Sequence, residues 1–223
     1  MIDFVKCKDP LKGQAELAGA LVANLKSGKR TVWTLPGGSN VPISVAVLRQ
    51  IREIVDGEAL KNLVVLQCDE RYGMPGHPDS NWQQLKDINF PIEGVENYPL
   101  LMGRSLEGTA ADYALVVERE FRKADAVIGQ FGIGEDGHIA GLMPNSAGFK
   151  TEQAVVGYVH STFTRLSITP IWLARTTEAF LFAFGPAKRE AILKVKDGNY
   201  SIEEVPAAIL WKIPTVYFYT DQV

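Results

Sequence analysis

The stretch of residues 132–144, GIGEDGHIAGLMP, sets His138 among glycines, with Asp136 two positions before it. Imidazole is the side chain that changes charge near neutral pH, and a neighbouring carboxylate or backbone carbonyl can hold it in one tautomer. Glycines let a backbone come close to a bound molecule. A glycine-rich surface loop that happens to contain a histidine is the plain alternative. The close approach that glycines permit favours a chemical role, with His138 as a general base and Asp136 orienting it or shaping the loop. No second histidine stands at metal-ligand spacing, so a zinc site is not expected.

Two further motifs are polar in the same way. Asp69-Glu70-Arg71 puts two acids and a guanidinium after an apolar run. An acid there can move protons and an arginine can stabilise an oxyanion. A solvated loop with an internal ion pair explains the triplet equally well. In PGGSN (36–40) the consecutive glycines Gly37 and Gly38 can turn backbone N–H groups toward an anion, and Ser39 adds a hydroxyl. On that motif alone, an ordinary turn capped by Ser39 or Asn40 is the stronger reading. It is neither a Walker loop nor a dinucleotide fingerprint. His77, in GHPDSN, reads as a loop residue. Arg165 and Lys188 are single cations whose value depends on whether they meet at an anion.

The elements that must position these residues alternate. Helical spacing predicts an amphipathic helix over 10–27, with Leu11, Leu17, Leu21, Val22 and Leu25 on one side. TVWTL (31–35) reads as a buried strand, and NLVVLQC (62–68) is a near-continuous apolar strand of the kind found in parallel sheets. Helices are predicted over 42–56, from near Asp79 or Ser80, over 106–123 and over 186–196, with VPAAILW a short one. DERYGMPGHPDSN (69–81) is expected to be a loop. ADAVIGQFG, AVVGYVH, EAFLFAFG and TVYFYT read as further strands. The pattern predicts one α/β domain over residues 1–223: a doubly wound, mostly parallel sheet with helices on both faces. Such sheets bind ligands outside the carboxyl ends of their strands. PGGSN, DER and GIGEDGH each follow a strand, so they are expected to share one edge.

Composition narrows the function. The chain has 223 residues, 46% hydrophobic and 22% charged, enough for a core without disulfides or structural metal. Its net charge is −3 and no Lys/Arg-rich run is present, which argues against nucleic acid. A local cationic pocket for an anionic small molecule remains compatible with that charge. Cys7 and Cys68 are too few and too far apart for a disulfide framework, and Cys68 reads as a reduced core residue. Neither a secretory leader nor a membrane span is apparent, so the expectation is a soluble cytoplasmic protein. Oligomeric state is not encoded in any pattern found.

Taken in order, LPGGSNVP, CDERYGMPGHPDSNW, FGIGEDGHIAGLMP, TRLSIT, GPAKREAI and VPAAIL resemble the 6-phosphogluconolactonases over about residues 31–220. The glucosamine-6-phosphate deaminases share the layout. The resemblance implies a modified doubly wound (Rossmann-like) fold that binds a sugar 6-phosphate. Gly37, Gly38, Ser39 and Asn40 would cradle the phosphate, with Arg165 and Lys188 supplying charge. His138 would be the base in lactone hydrolysis, with Arg71 at the oxyanion, Asp69 and Asp136 orienting groups, and neither metal nor cofactor required. The deaminases resemble DEY where this chain has Asp69-Glu70-Arg71. They carry Asn-Glu-Pro where it has Leu142-Met143-Pro144, and methionine cannot relay protons. These differences favour the lactonase, a step of the oxidative pentose phosphate pathway, over a deaminase. The intact His138 favours an enzyme over a sugar-phosphate-binding module. One departure stands out: the family loop reads SGGST-P or TGGST-P, whereas here Pro36 comes first, Asn40 replaces Thr and Val41 is inserted before Pro42.

Overall fold

TVWTL and LVVLQ are buried at every position because both faces of their sheet are covered. The computed structural model covers Met1–Val223. Its elements are β1 (Ile2–Lys6), α1 (Leu11–Lys26), β2 (Thr31–Leu35), α2 (Val41–Ile54), α3 (Gly57–Leu60), β3 (Leu63–Gln67), β4 (Asp69–Arg71), α4 (Asn81–Asp87), β5 (Glu96–Asn97), α5 (Leu106–Lys123), β6 (Ala126–Phe131), β7 (Val155–Val159), β8 (Thr164–Ile168), α6 (Pro170–Leu173), β9 (Glu178–Ala183), α7 (Arg189–Asp197) and β10 (Thr215–Thr220).

Seven strands form a parallel sheet in the order β1-β10-β9-β6-β2-β3-β5. Successive side chains of a strand point to opposite faces, and the core divides accordingly. Val32, Val64 and Leu66 pack with Val117, Phe121, Ile192 and Val195 of α5 and α7. Trp33, Leu35, Leu63 and Val65 pack with Leu17, Leu21, Leu25, Val47, Leu48 and Ile51 of α1 and α2. This is the doubly wound arrangement that the alternating pattern predicts. Leu11 departs from its expected place: it is exposed, in the first turn of α1 before the helix reaches the core. No helix is long and apolar enough to cross a membrane.

The chain runs outward from β2 in one direction through β3 and in the other through β6 and β9. The order therefore reverses between β2 and β6. At such a switch point the connections leave in opposite directions and open a crevice at the strands' carboxyl ends. The segments after β2, β3, β6 and β9 emerge side by side there.

The second sheet corrects part of the sequence reading. Residues 69–71 are a strand rather than the start of a loop: β4 pairs antiparallel with β8, and β8 with β7, in a separate three-stranded sheet. AVVGYVH thus forms an antiparallel strand outside the main sheet. The pairing that makes Asp69–Arg71 a strand is with Arg165–Ser167, far along the chain, so no local pattern announces it. The predicted helix over 186–196 also divides, into a 3-10 turn at Pro186–Lys188 followed by α7. VPAAILW is likewise a 3-10 helix, over Pro206–Lys212.

Candidate active site

A cleft of about 190 Å³ lies at the switch point, lined by Pro36, Gly37, Gly38, Ser39, Asn40, Asp69, Arg71, Gly132, Ile133, His138, Ala140, Arg165 and Lys188. Each element contributes one part. The loop after β2 supplies Gly37–Asn40, with Gly38 at a φ of 63° that favours glycine. The strand after β3 supplies Asp69 and Arg71, the loop after β6 supplies His138, and the turn after β9 supplies Lys188. Arg165 arrives from β8, directly opposite Arg71 in the antiparallel register. Of the site residues predicted from sequence, Asp136 alone does not line the cleft; it stands against His138.

The imidazole is held firmly. His138 Nδ1 lies 2.7 Å from Asp136 Oδ1, which also accepts the His138 backbone N–H at 3.1 Å. With Nδ1–H donated to the carboxylate, neutral His138 carries its lone pair on Nε2. Burial alone would push the Asp136 carboxyl up. The hydrogen bonds from the His138 ring and backbone, with the attraction of the ring's charge, outweigh it and hold the carboxyl at about 2. The glycines explain how the ring fits. A Cβ on Gly134 would stand 1.9 Å from His138 Nδ1, so only glycine leaves room for the ring. Gly137, at φ 88°, makes the turn that returns the chain to His138.

The cleft's charge opposes that of the chain. Arg71, Arg165 and Lys188 meet one carboxylate, Asp69. None of the three cations pairs with an acidic side chain. Arg165 is only 8% exposed, and the Nε atoms of Arg71 and Arg165 are buried without partners. A buried guanidinium with no counter-ion is costly, and an anion in the cleft would relieve that cost. The N-terminus of α2, just beyond Gly38–Asn40, adds a partial positive charge.

Asp69 and Glu70, adjacent in sequence, do different work. Asp69 faces the cleft and is already engaged, its Oδ1 accepting from Cys68 Sγ at 3.3 Å and its Oδ2 from Asn81 Nδ2 at 3.2 Å. Burial first, and Asp69 second, push the Cys68 thiol well up, so it stays a protonated donor. Glu70 turns away and is fully buried. Its carboxylate accepts from the backbone N–H groups of Arg71, Asn81 and Trp82, from Ser80 Oγ and from Gln67 Nε2. It therefore holds the N-terminus of α4, whose own cap is Ser80.

Asn40 also departs from simple expectation. Its side chain does not cap α2. Its Nδ2 donates to Phe182 O at 3.3 Å, tying the loop to β9, while its Oδ1 is buried without a partner. Met143 is buried, its N–H donating to the Tyr158 hydroxyl, and lies outside the cleft lining. No group of three or more His, Cys, Asp or Glu side chains is placed to hold a metal ion. Sequence reading missed Glu70 and Asn81 as structural pieces of the site; their signal was their place within the DER and HPDSN motifs.

The sequence profile described as glucosamine-6-phosphate isomerases/6-phosphogluconolactonase matches residues 12–217. This chain belongs to that family. It is 26% identical over 204 residues to a 6-phosphogluconolactonase of Helicobacter pylori strain J99, covering 88% of this chain and 87% of the relative. A glucosamine-6-phosphate deaminase of Staphylococcus epidermidis is 33% identical over 105 residues, which is 40% of this chain and 42% of the relative. The fold matches a 6-phosphogluconolactonase from Shewanella baltica with a TM-score of 0.80 at 16% identity, covering 99% of this chain and 98% of that one.

Proposed function

We propose that this protein hydrolyses 6-phospho-D-glucono-1,5-lactone to 6-phosphogluconate, a step of the oxidative pentose phosphate pathway. The observation that carries the reading is the meeting in one cleft of an oriented imidazole and three cations without carboxylate partners. Relatives named 6-phosphogluconolactonase that match most of the chain support it.

In this reading water attacks the lactone carbonyl while His138 Nε2 takes its proton. The carbonyl electrons move to oxygen, where Arg71 stabilises the charge. The ester C–O bond then breaks, and the imidazolium returns the proton to the leaving ring oxygen. Asp136 keeps the ring in its productive tautomer and Asp69 orients the polar groups around the reacting carbon. Gly37, Gly38, Ser39, Asn40, Arg165 and Lys188 hold the phosphate. That binding is remote from the reacting carbon and fixes near-attack geometry. A strained lactone ester needs neither a metal ion nor a covalent nucleophile.

Purified protein assayed with fresh phosphorylated lactone and with glucosamine 6-phosphate tests the assignment. Acid release that His138→Ala cuts by ~10²–10⁴-fold is expected, with no ammonia. Ammonia release, or a His138→Ala variant as fast as wild type, would refute it.

A further inference from the structure

The two arginines of the cleft share a neighbour that is not itself part of the lining. The Arg71 guanidinium carbon lies 5.2 Å from the Phe163 ring centroid and that of Arg165 lies 5.8 Å from it. The strand geometry accounts for the arrangement. Phe163 precedes Arg165 by two residues and so falls on the same face. Arg71 is directly opposite Arg165 across the β4–β8 ladder. The ladder continues to the Phe163 level through Tyr72 N–H to Thr164 O at 2.8 Å, and His160 N–H to Phe163 O at 3.2 Å closes the hairpin below.

Like charges directly opposite one another across a ladder repel, and here both are arginines. A carboxylate between them would cancel the repulsion, but it would also occupy the N–H forks that an anionic ligand needs. An aromatic face attracts a cation through its quadrupole and offers no lone pair to a bidentate fork. We propose that Phe163 is a positioning residue: its ring holds the Arg71 and Arg165 guanidiniums side by side, leaving N–H groups of Arg165 free for the phosphate and of Arg71 for the developing oxyanion. Arg71 is steadied further by Nη1–H donation to Asp79 O at 3.0 Å. Phe163 is absent from the cleft lining, so it acts through the arginines and not on the ligand. The inference rests on the cleft being the anion site described above.

The test compares wild type with Phe163→Leu and Phe163→Tyr. Calorimetric titration with inorganic phosphate is run beside steady-state kinetics on the phosphorylated lactone. Loss of the contact to Arg165 is expected to weaken phosphate binding and raise KM by roughly 2- to 30-fold, and loss of the contact to Arg71 to lower kcat by a similar factor. Phe163→Tyr keeps the π face and is expected to bind like wild type. Equal losses in both variants, unchanged phosphate binding in Phe163→Leu, or an unchanged kcat in Phe163→Leu would overturn the proposal. If the leucine variant fails to fold, Phe163→Met replaces it and is read the same way. Arg165→Ala is the control for the underlying site. If it binds phosphate as wild type does, the anion-site reading fails and the role of Phe163 falls with it. If Arg165→Ala loses phosphate and Phe163→Leu does not, only the role of Phe163 is refuted.

Discussion

Gly134→Ala places one methyl group where the structure has no room and removes none of the proposed catalytic side chains. The new Cβ would stand 1.9 Å from His138 Nδ1, 2.2 Å from its Cε1 and 2.5 Å from Asp136 Oδ1. Contacts below 3.0 Å are not tolerated, so the ring must retreat by more than about 1 Å, and a shift of that size costs catalysis on the order of 10²-fold. The backbone accepts alanine there, since Gly134 is not among the positive-φ glycines. The His138 side chain is 31% exposed and has solvent to swing into. Stability should therefore fall by only about 1 kcal/mol, at the low end for overpacking. The expected result is kcat/KM lowered ~10²-fold with a nearly unchanged melting temperature. Because the effect runs through the imidazole, Gly134→Ala should add little to His138→Ala in the double variant. A Gly134→Ala enzyme within roughly threefold of wild type would refute the reasoning. The 2.7 Å His138–Asp136 geometry would then not be the one that matters for turnover.

Three other outcomes follow from the same geometry. Arg165→Ala or Lys188→Ala should weaken phosphorylated substrate by ~1.5–3 kcal/mol, the scale of a charged hydrogen bond, and leave the slow hydrolysis of unphosphorylated lactone unchanged; equal losses on both lactones would move these cations into the chemistry. Glu70→Ala strands five donors, three of them in buried hydrogen bonds, and should destabilise by at least ~3 kcal/mol, read by urea unfolding, with a surface-like change contradicting the keystone role. Asp136 is held at about 2, below its ordinary 3.8, so its contribution to stability is complete above about pH 4 and is lost as pH falls toward 2; Asp136→Asn should flatten that part of the stability–pH curve, and an unchanged curve would rule out the linkage.

The sequence carried the main sheet and the cleft unevenly. β2 and β3 were legible because burial on both faces leaves a short, mostly apolar run, and β6 and β9 for the same reason. β1 was not: it is an edge strand whose Asp3 and Lys6 are exposed, so IDFVK carries no comparable signal. β5 has two residues, too few to form a pattern. The small antiparallel sheet was hidden because its register joins residues 69–71 to 165–167, and periodicity reports only local order. The site residues were legible as polar motifs at strand ends, but their grouping needed the strand order. Only the reversal between β2 and β6 brings the two glycine loops together. The contact of Phe163 with both arginines was invisible, since an aromatic between two threonines carries no mark of its partners.

The HPDSN block shows how a motif can be specific without touching the ligand. None of residues 77–81 lines the cleft, yet they hold together the parts that do. Asn81 donates from Nδ2 to Asp69 O at 3.0 Å and to Asp69 Oδ2, and from its backbone N–H to Glu70. Its side-chain amide also fills the space that a Cβ on Gly37 would need, with Asn81 Oδ1 only 1.9 Å from that position. The first residue of α4 thus fixes an acid of the cleft against the proposed phosphate loop. Ser80 caps the same helix and donates to Glu70, which in turn accepts the Arg71 backbone N–H. PGGSN, DER and DSN are separate in sequence but form one hydrogen-bonded and packed unit. A substitution in any of the three should move the other two. For that reason their shared order along the chain carries more information than any of them read alone.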